Sequence, residues 1–144
     1  MNYQIRKRKL IQIIGMEVRT TFVNNQQRED INKLWQRMFA EGVLQKIPNK
    51  RSEIVFNLYC DYEDKMNGAV TVIVGCEVDS LDHVPDGLSG RAFEAYREAH
   101  VKVKGKLPEV VYQAWEQVEA DGEIKRSYMV DSELPNWCTK PGSK

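Results

Sequence analysis

The sequence predicts an α+β fold in which an antiparallel sheet carries two helices. The order strand, helix, strand occurs twice, and in each copy a tryptophan on the apolar stripe of the helix precedes a glycine by seven residues. The two pairs are Trp35 with Gly42 and Trp115 with Gly122. This self-similarity predicts an internal pseudo-two-fold within one domain over residues 1–144, with pseudo-repeats at about 3–80 and 88–134.

The first copy begins with a strand predicted over Ile5–Gly15, which is rich in isoleucine and ends at a glycine. The basic run at residues 6–9 is interpreted as the solvated start of this strand rather than as a phosphate-binding arm. Asn24 and Asn25 are predicted to cap the next helix with their side chains. Five apolar residues of this helix have the spacing that places them on one face: Ile31, Leu34, Trp35, Met38 and Phe39.

Gly42 is placed to end this helix in a left-handed conformation, and Ile47-Pro48-Asn49 predicts a turn. Two clear strands follow, over Ile54–Tyr62 and Ala69–Val78. The loop between them contains Asn67-Gly68, a dipeptide that accepts the positive φ angles of a tight hairpin. The second strand places alternate apolar residues on one face: Val70, Val72, Val74, Cys76 and Val78.

A polar connection over residues 79–89 separates the two copies. The second copy is predicted to contain a strand over about Tyr96–Val103 and a helix that begins at Pro108, whose missing N–H is tolerated there, and ends at Gly122. A strand from Ile124 to about Asp131 completes it. The stripe of the second helix consists of Val111, Ala114, Trp115 and Val118.

Composition and charge argue against several classes of protein. Lys plus Arg and Asp plus Glu both number 21, whereas a dedicated nucleic-acid binder normally has a basic excess. No segment has the ~20 apolar residues of a membrane span, and the first residues lack the pattern of a signal peptide. Three cysteines without paired spacing suit a reducing compartment. We therefore expect a cytoplasmic protein with buried free thiols at Cys60 and Cys76 and no direct nucleic-acid or membrane partner.

The sequence lacks the standard signatures of catalysis and of cofactor or metal binding. His83 and His100 are isolated from cysteines and acids at ligand spacing, and there is no glycine-rich phosphate loop or nucleophile elbow. We expect no cofactor and no metal, and we assign no catalytic residue. What remains is an aromatic and acidic set that suits either a cation site or core packing: Trp35, Phe56, Tyr59, Tyr62, Trp115, Tyr128, Glu77, Asp131 and Glu133.

The most informative motifs follow one another in order over about residues 3–134. They are Leu34-Trp35, Gly42, Ile47-Pro48-Asn49, Tyr59-Cys60-Asp61-Tyr62-Glu63, Val74-Gly75-Cys76-Glu77-Val78, Lys104-Gly105, Pro108-Glu109, Ala114-Trp115 and Arg126-Ser127-Tyr128-Met129-Val130-Asp131-Ser132-Glu133. Their order and spacing resemble the gyrase-inhibitor-like superfamily. That superfamily includes the effector-binding domains of AraC-type and multidrug-sensing transcription regulators, and free-standing copies found in integron cassettes.

The resemblance implies a duplicated strand–helix–strand–strand unit with a ligand cleft at the pseudo-two-fold, between the helices. The family's signature acid, which meets cationic ligands, corresponds to Glu133, and its aromatic walls correspond to Trp35, Tyr59, Trp115 and Tyr128. The resemblance therefore implies a small-molecule binding module rather than an enzyme. Its expected ligand is a lipophilic cation with an apolar or aromatic body, and its expected role is an effector sensor or sequestering protein without a DNA-binding domain of its own.

Two other functions stay open, because some relatives hydrolyse strained toxic small molecules with a Trp and Glu pair and others bind and inhibit DNA gyrase. The chain departs from the family pattern at Ser132, where a Phe is usual, and we expect this change to remove an apolar contact beside the acid. It departs again over Leu134–Pro141, where two prolines replace the pattern of a final strand. Loss of that strand would expose a sheet edge, so a protein partner or a homodimer also stays open.

Overall fold

The computed structural model describes residues 3–94, 96–101, 106, 109–121, 126–128 and 130–133. The contacts divide the chain into two compact units, one of Met1–Leu10 and Glu94–Ser127 and the other of Ile11–Phe93 and Tyr128–Lys144. The organisation as one domain with two pseudo-repeats stays a prediction. Among the described residues, no helix has the length and apolar character needed to cross a membrane.

The secondary structure confirms the predicted α+β class. In chain order the elements are β1 (Gln4–Arg8), β2 (Ile11–Thr21), a short 3₁₀ turn (Val23–Asn25), α1 (Gln26–Ala40), α2 (Val43–Lys46), β3 (Lys50–Cys60), β4 (Ala69–Val78), β5 (Ser89–Phe93), β6 (Tyr96–His100), α3 (Glu109–Ala120) and β7 (Val130–Glu133). Every strand pairing among them is antiparallel.

The smaller unit contains β1, β6 and α3. β1 and β6 form a two-stranded sheet in which Gln4 lies opposite His100. The predicted stripe of α3 is half-buried, and the guanidinium of Arg126 lies 5.3 Å from the centroid of the Trp115 ring. The predicted helix ends at Pro108 and Gly122 lie outside the described residues.

The larger unit is built on a five-stranded sheet with the order β5-β2-β4-β3-β7. β4 lies at its centre, and its five alternating apolar residues are all at most 2% exposed, as the alternation predicts. The residues between them, such as Thr71 and Ile73, are buried as well. Both faces of the central strand are therefore covered, which is why its sequence is an almost continuous apolar run.

Helix α1 packs on one face of this sheet, against β2 and β4. Leu34 and Met38 are 3% and 1% exposed, and the Thr20 hydroxyl donates a 2.6 Å hydrogen bond to Asp30 that joins β2 to the helix. The prediction was wrong for Phe39, which is 61% exposed. Phe39 lies at the edge of the apolar stripe, where the helix surface turns away from the sheet.

The beginning of the chain corrects two predictions. The strand predicted over Ile5–Gly15 is two strands, β1 and β2, divided at Lys9-Leu10 and belonging to different units. Asn24 and Asn25 do not cap α1 with their side chains. They have positive φ angles of 56° and 57°, a conformation that asparagine tolerates better than most residues. Their contribution to the turn is therefore this backbone conformation and not a side-chain hydrogen bond.

The connection between β3 and β4 also differs from the predicted tight hairpin. β3 extends over Lys50–Cys60, and the loop to β4 places its positive φ angles at Asp61 and Lys65 instead of Asn67-Gly68. Gly68 is needed for another reason, since a Cβ atom there would lie 2.9 Å from the amide nitrogen of Asp64. The loop is long enough to reverse the chain without a two-residue turn.

The last strand and one edge strand were predicted incorrectly. β7 covers Val130–Glu133, whereas Arg126 and Ser127 are not in a strand and Tyr128 has a positive φ of 55°. β5, over Ser89–Phe93, was not predicted, and its five residues include a glycine, which weakens the sequence pattern of a strand. Gly42 does adopt the predicted left-handed conformation, with φ of 60°, directly after Glu41, the C-cap residue of α1.

Cys60 and Cys76 are buried free thiols, as predicted. They do not face each other across the hairpin, because Cys60 lies opposite Thr71 and Cys76 opposite Val55. Burial raises the pKa of the Cys60 thiol to about 11. The thiol is therefore protonated and poorly nucleophilic at neutral pH.

Candidate functional site

The candidate site lies where β7 pairs with the end of β3. Glu133 lies opposite Asn57 and Asp131 lies opposite Tyr59, so these four side chains project from the same face of the sheet. The Glu133 carboxylate oxygen Oε1 accepts hydrogen bonds from Asn57 Nδ2, at 2.6 Å, and from the Tyr59 hydroxyl, at 2.5 Å. Two donors from one strand therefore hold the carboxylate in place.

The two donors are themselves buried in the sheet. Asn57 is 7% exposed and Tyr59 is 6% exposed, whereas Glu133 is half-buried. Burial raises the pKa of the Tyr59 hydroxyl well above its usual value, and the negative charge of Glu133 raises it further. The hydroxyl therefore stays protonated at neutral pH and continues to donate to Glu133.

Aromatic rings continue the site away from Glu133. The Phe22 ring lies 5.6 Å from the Tyr59 ring and 6.3 Å from the Tyr62 ring, measured between centroids. Tyr128 meets Tyr62 edge-on at 5.6 Å. The Tyr62 hydroxyl donates to Asp131, which repeats the pairing of a tyrosine with an acid. We call the whole set the acidic aromatic cluster: Phe22, Asn57, Tyr59, Tyr62, Tyr128, Asp131 and Glu133.

Chain reversals bring these rings together. Phe22 directly follows β2, and Tyr62 directly follows Asp61, whose positive φ of 52° turns the chain at the end of β3. Tyr128 lies just before β7 and has a positive φ itself. Residues that flank three different strands thus meet at one end of the sheet.

Residues 4–131 match the family of integron-associated effector binding proteins. The chain belongs to this family. The match covers most of the sequence and confirms the resemblance inferred from the motifs. Among curated proteins, no sequence matches the chain.

Solved structures share the fold of this effector-binding family member. An integron cassette protein from the mobile metagenome of Vibrio cholerae is 23% identical, with a TM-score of 0.69, over 92% of this chain and 86% of its own. The structure of SAV2435 bound to tetraphenylphosphonium is 16% identical, with a TM-score of 0.69, over 93% and 92%. A Staphylococcus aureus MU50 protein named for bacterial transcription regulation is 16% identical, with a TM-score of 0.65, over 93% and 95%.

The structure of this family member brings together three of the five predicted ligand-binding residues. Glu133 and Tyr59 are in direct contact, and Tyr128 is linked to Tyr59 through the rings of Tyr62 and Phe22. Trp35 is half-buried on α1, which packs on the same face of the sheet as Tyr59, and its ring lies 6.0 Å from that of Phe39. Trp115 belongs to the other compact unit. The ligand-binding role of all five residues stays a prediction.

Two members of the aromatic and acidic set from the sequence analysis lie on the other face of the sheet. Phe56 and Glu77 project from the opposite face of the sheet, since Phe56 alternates with Asn57 along β3 and Glu77 alternates with Cys76 along β4. Glu77 is within 3.5 Å of Arg51, to which it forms an ion pair. Ser132 pairs with Leu58 and also projects from this other face, away from Glu133. The prediction that Ser132 removes an apolar contact beside Glu133 was therefore wrong.

Sequence reasoning missed Asn57 and Phe22. A signal for Asn57 exists: it is the only residue with an amide or charged side chain between Ile54 and Cys60, and it alternates onto the face of Tyr59. Phe22 has no comparable signal. Its contact with Tyr59 depends on strand pairing between segments far apart in the sequence.

The raised pKa of Tyr59 makes stability depend on pH under alkaline conditions. Above the usual tyrosine value of 10.0, the unfolded chain loses this proton while the folded chain keeps it, so the free energy of unfolding falls. Tyr59→Phe lacks this proton and serves as the reference. Between pH 7 and pH 11 we expect the free energy of unfolding of the wild type to fall by about 1.4 kcal/mol more than that of the variant. Urea denaturation of both proteins from pH 7 to 11 measures it, and parallel curves would contradict the prediction.

Proposed function

We propose that the protein is an effector-binding module that takes up a lipophilic cation at the acidic aromatic cluster. The observation that carries this proposal is the Glu133 carboxylate, held by Asn57 and Tyr59 at the edge of a set of aromatic rings. A carboxylate that is partly removed from water attracts a cation more strongly than an exposed one does. Ring faces add attraction through their quadrupole and accept the apolar body of the ligand.

A contact within the protein supports the same chemistry. The Lys65 ammonium lies 5.9 Å from the centroid of the Tyr128 ring, a distance at which cation–π attraction operates. A ring of the cluster therefore already receives a cation. The shared fold of SAV2435, whose structure contains the lipophilic cation tetraphenylphosphonium, also supports the proposal.

The test compares two ions of the same shape and opposite charge, tetraphenylphosphonium and tetraphenylborate. We expect the phosphonium to bind at least about tenfold more tightly, because the aromatic contacts are equal while Glu133 and Asp131 attract one ion and repel the other. Calorimetric titration of both at the same ionic strength measures the difference. Equal affinities would reduce the site to a merely apolar surface and remove Glu133 from the proposal.

The same titrations separate a binding module from a hydrolase. We propose a sensor or sequestering role, in which the ligand is recovered unchanged after incubation, and mass spectrometry of the recovered ligand tests this. A product would favour the hydrolase that the sequence left open. Inhibition of DNA gyrase is tested by a supercoiling assay with added protein, and we expect no effect.

A further inference from the structure

The nitrogen of the Asn57 side-chain amide has a hydrogen-bond partner, whereas its oxygen has none among the described residues. Its nitrogen Nδ2 donates to Glu133 Oε1 at 2.6 Å and lies 3.4 Å from the Tyr59 hydroxyl oxygen. Its oxygen Oδ1 is buried and has no hydrogen-bond partner among the residues that the structure describes. A buried amide oxygen is seldom left without a donor, because losing its bond to water costs free energy.

The orientation of this amide follows from its neighbours. A carboxylate can only accept hydrogen bonds, so the Asn57 amide must turn its nitrogen toward Glu133. The reverse orientation would place Oδ1 against the carboxylate oxygen, with two acceptors in contact. The nitrogen assignment is therefore fixed, and the unsatisfied acceptor is the other end of the amide that donates to the Glu133 carboxylate.

Building on the proposed function, we propose that Asn57 Oδ1 accepts an N–H group of the ligand, so that the site selects cations that carry N–H donors. Protonated tertiary, secondary and primary amines and amidinium groups belong to this class, and quaternary ammonium and phosphonium ions do not. Glu133 attracts both classes through charge. Only the first class satisfies the Asn57 oxygen, and a hydrogen bond from a charged donor is stronger than one between neutral groups.

The direction of the preference distinguishes this proposal from a purely aromatic site. An aromatic cage without an acceptor suits quaternary cations, so it would favour the quaternary member of a matched pair. The Asn57 oxygen predicts the opposite order. A suitable pair is N,N-dimethyl-2-naphthylmethylamine, protonated at pH 7, and its N,N,N-trimethylammonium counterpart, which differ by one methyl group.

We expect the wild-type protein to bind the protonated tertiary amine on the order of tenfold more tightly than the quaternary ion in calorimetric titrations at pH 7. In Asn57→Leu both ions should bind more weakly, because Glu133 loses a donor, and the ratio of their affinities should fall to about one or reverse. Circular dichroism checks the fold of the variant. If Asn57→Leu does not fold, Asn57→Ser replaces it, since its shorter side chain cannot hold an acceptor at the same place.

The outcomes separate this inference from the proposed function. A wild-type ratio near one, or a preference for the quaternary ion, overturns the role of Asn57 while leaving the cation site in place if Glu133→Gln weakens both ions. A preference that persists in the Asn57 variant also overturns it. If neither cation binds the wild-type protein, the proposed function itself fails.

Discussion

Replacing Gly75 with alanine is expected to cost about 4 kcal/mol or more of unfolding free energy, or to prevent folding of the larger unit. Gly75 lies opposite Gly15 in the pairing of β4 with β2. A Cβ atom at Gly75 would lie 2.2 Å from the carbonyl oxygen of Ile14 and 2.7 Å from the Cα of Gly15. Both are backbone atoms, so no side-chain rotation can relieve the overlap, and the strands would have to separate.

The chain offers a matched glycine as control. Gly87 has a positive φ of 82° but open space around the position of a Cβ atom. Gly87→Ala should therefore cost only the backbone strain of about 1–2 kcal/mol. Urea denaturation measures the free energy of unfolding of both variants, and so compares the steric overlap at Gly75 with the backbone strain at Gly87. A smaller loss for Gly75→Ala than for Gly87→Ala would show that the strands move apart easily, contrary to the close pairing.

Glu133→Gln is expected to weaken binding of tetraphenylphosphonium by at least about tenfold, or ~1.4 kcal/mol, with the fold intact. Glutamine keeps the size of the side chain and an oxygen that can accept from Asn57 and Tyr59, so packing should change little. What it removes is the negative charge. In a half-buried position that loss affects a cation more than it would at an exposed one, where water screens the interaction.

Glu77→Gln is the matched control for this variant. It makes the same chemical change and the same change in net charge, but Glu77 projects from the opposite face of the sheet and pairs with Arg51. We expect it to leave cation affinity unchanged. Equal effects of the two variants would indicate that the cation responds to the overall electrostatic potential of the protein and not to Glu133 in particular. An unchanged affinity in Glu133→Gln would exclude Glu133 as the counter-ion.

The sequence by itself determined the elements whose signal is local. The stripe of Leu34 and Met38 defined the buried face of α1, and the apolar run of β4 predicted a buried strand, because both patterns depend only on the period of the backbone. Gly42 was recognised for the same reason, since a left-handed residue after a helix favours glycine. The ordered motifs identified the family, which the match over residues 4–131 confirms.

Only the tertiary structure decided how these elements meet. Strand order and register depend on contacts between distant segments, so the sequence did not reveal that β7 pairs with β3 and sets Glu133 opposite Asn57. Phe22 entered the cluster because β2 and β3 both pair with β4, and Tyr62 entered it through a turn at Asp61. The acid of the site and the rings of Tyr59 and Tyr128 therefore belong to motifs of the sequence, whereas the donor Asn57 and the ring of Phe22 do not, because contacts between distant segments, such as the Asn57–Glu133 hydrogen bond across 76 residues, leave no periodic pattern in the sequence.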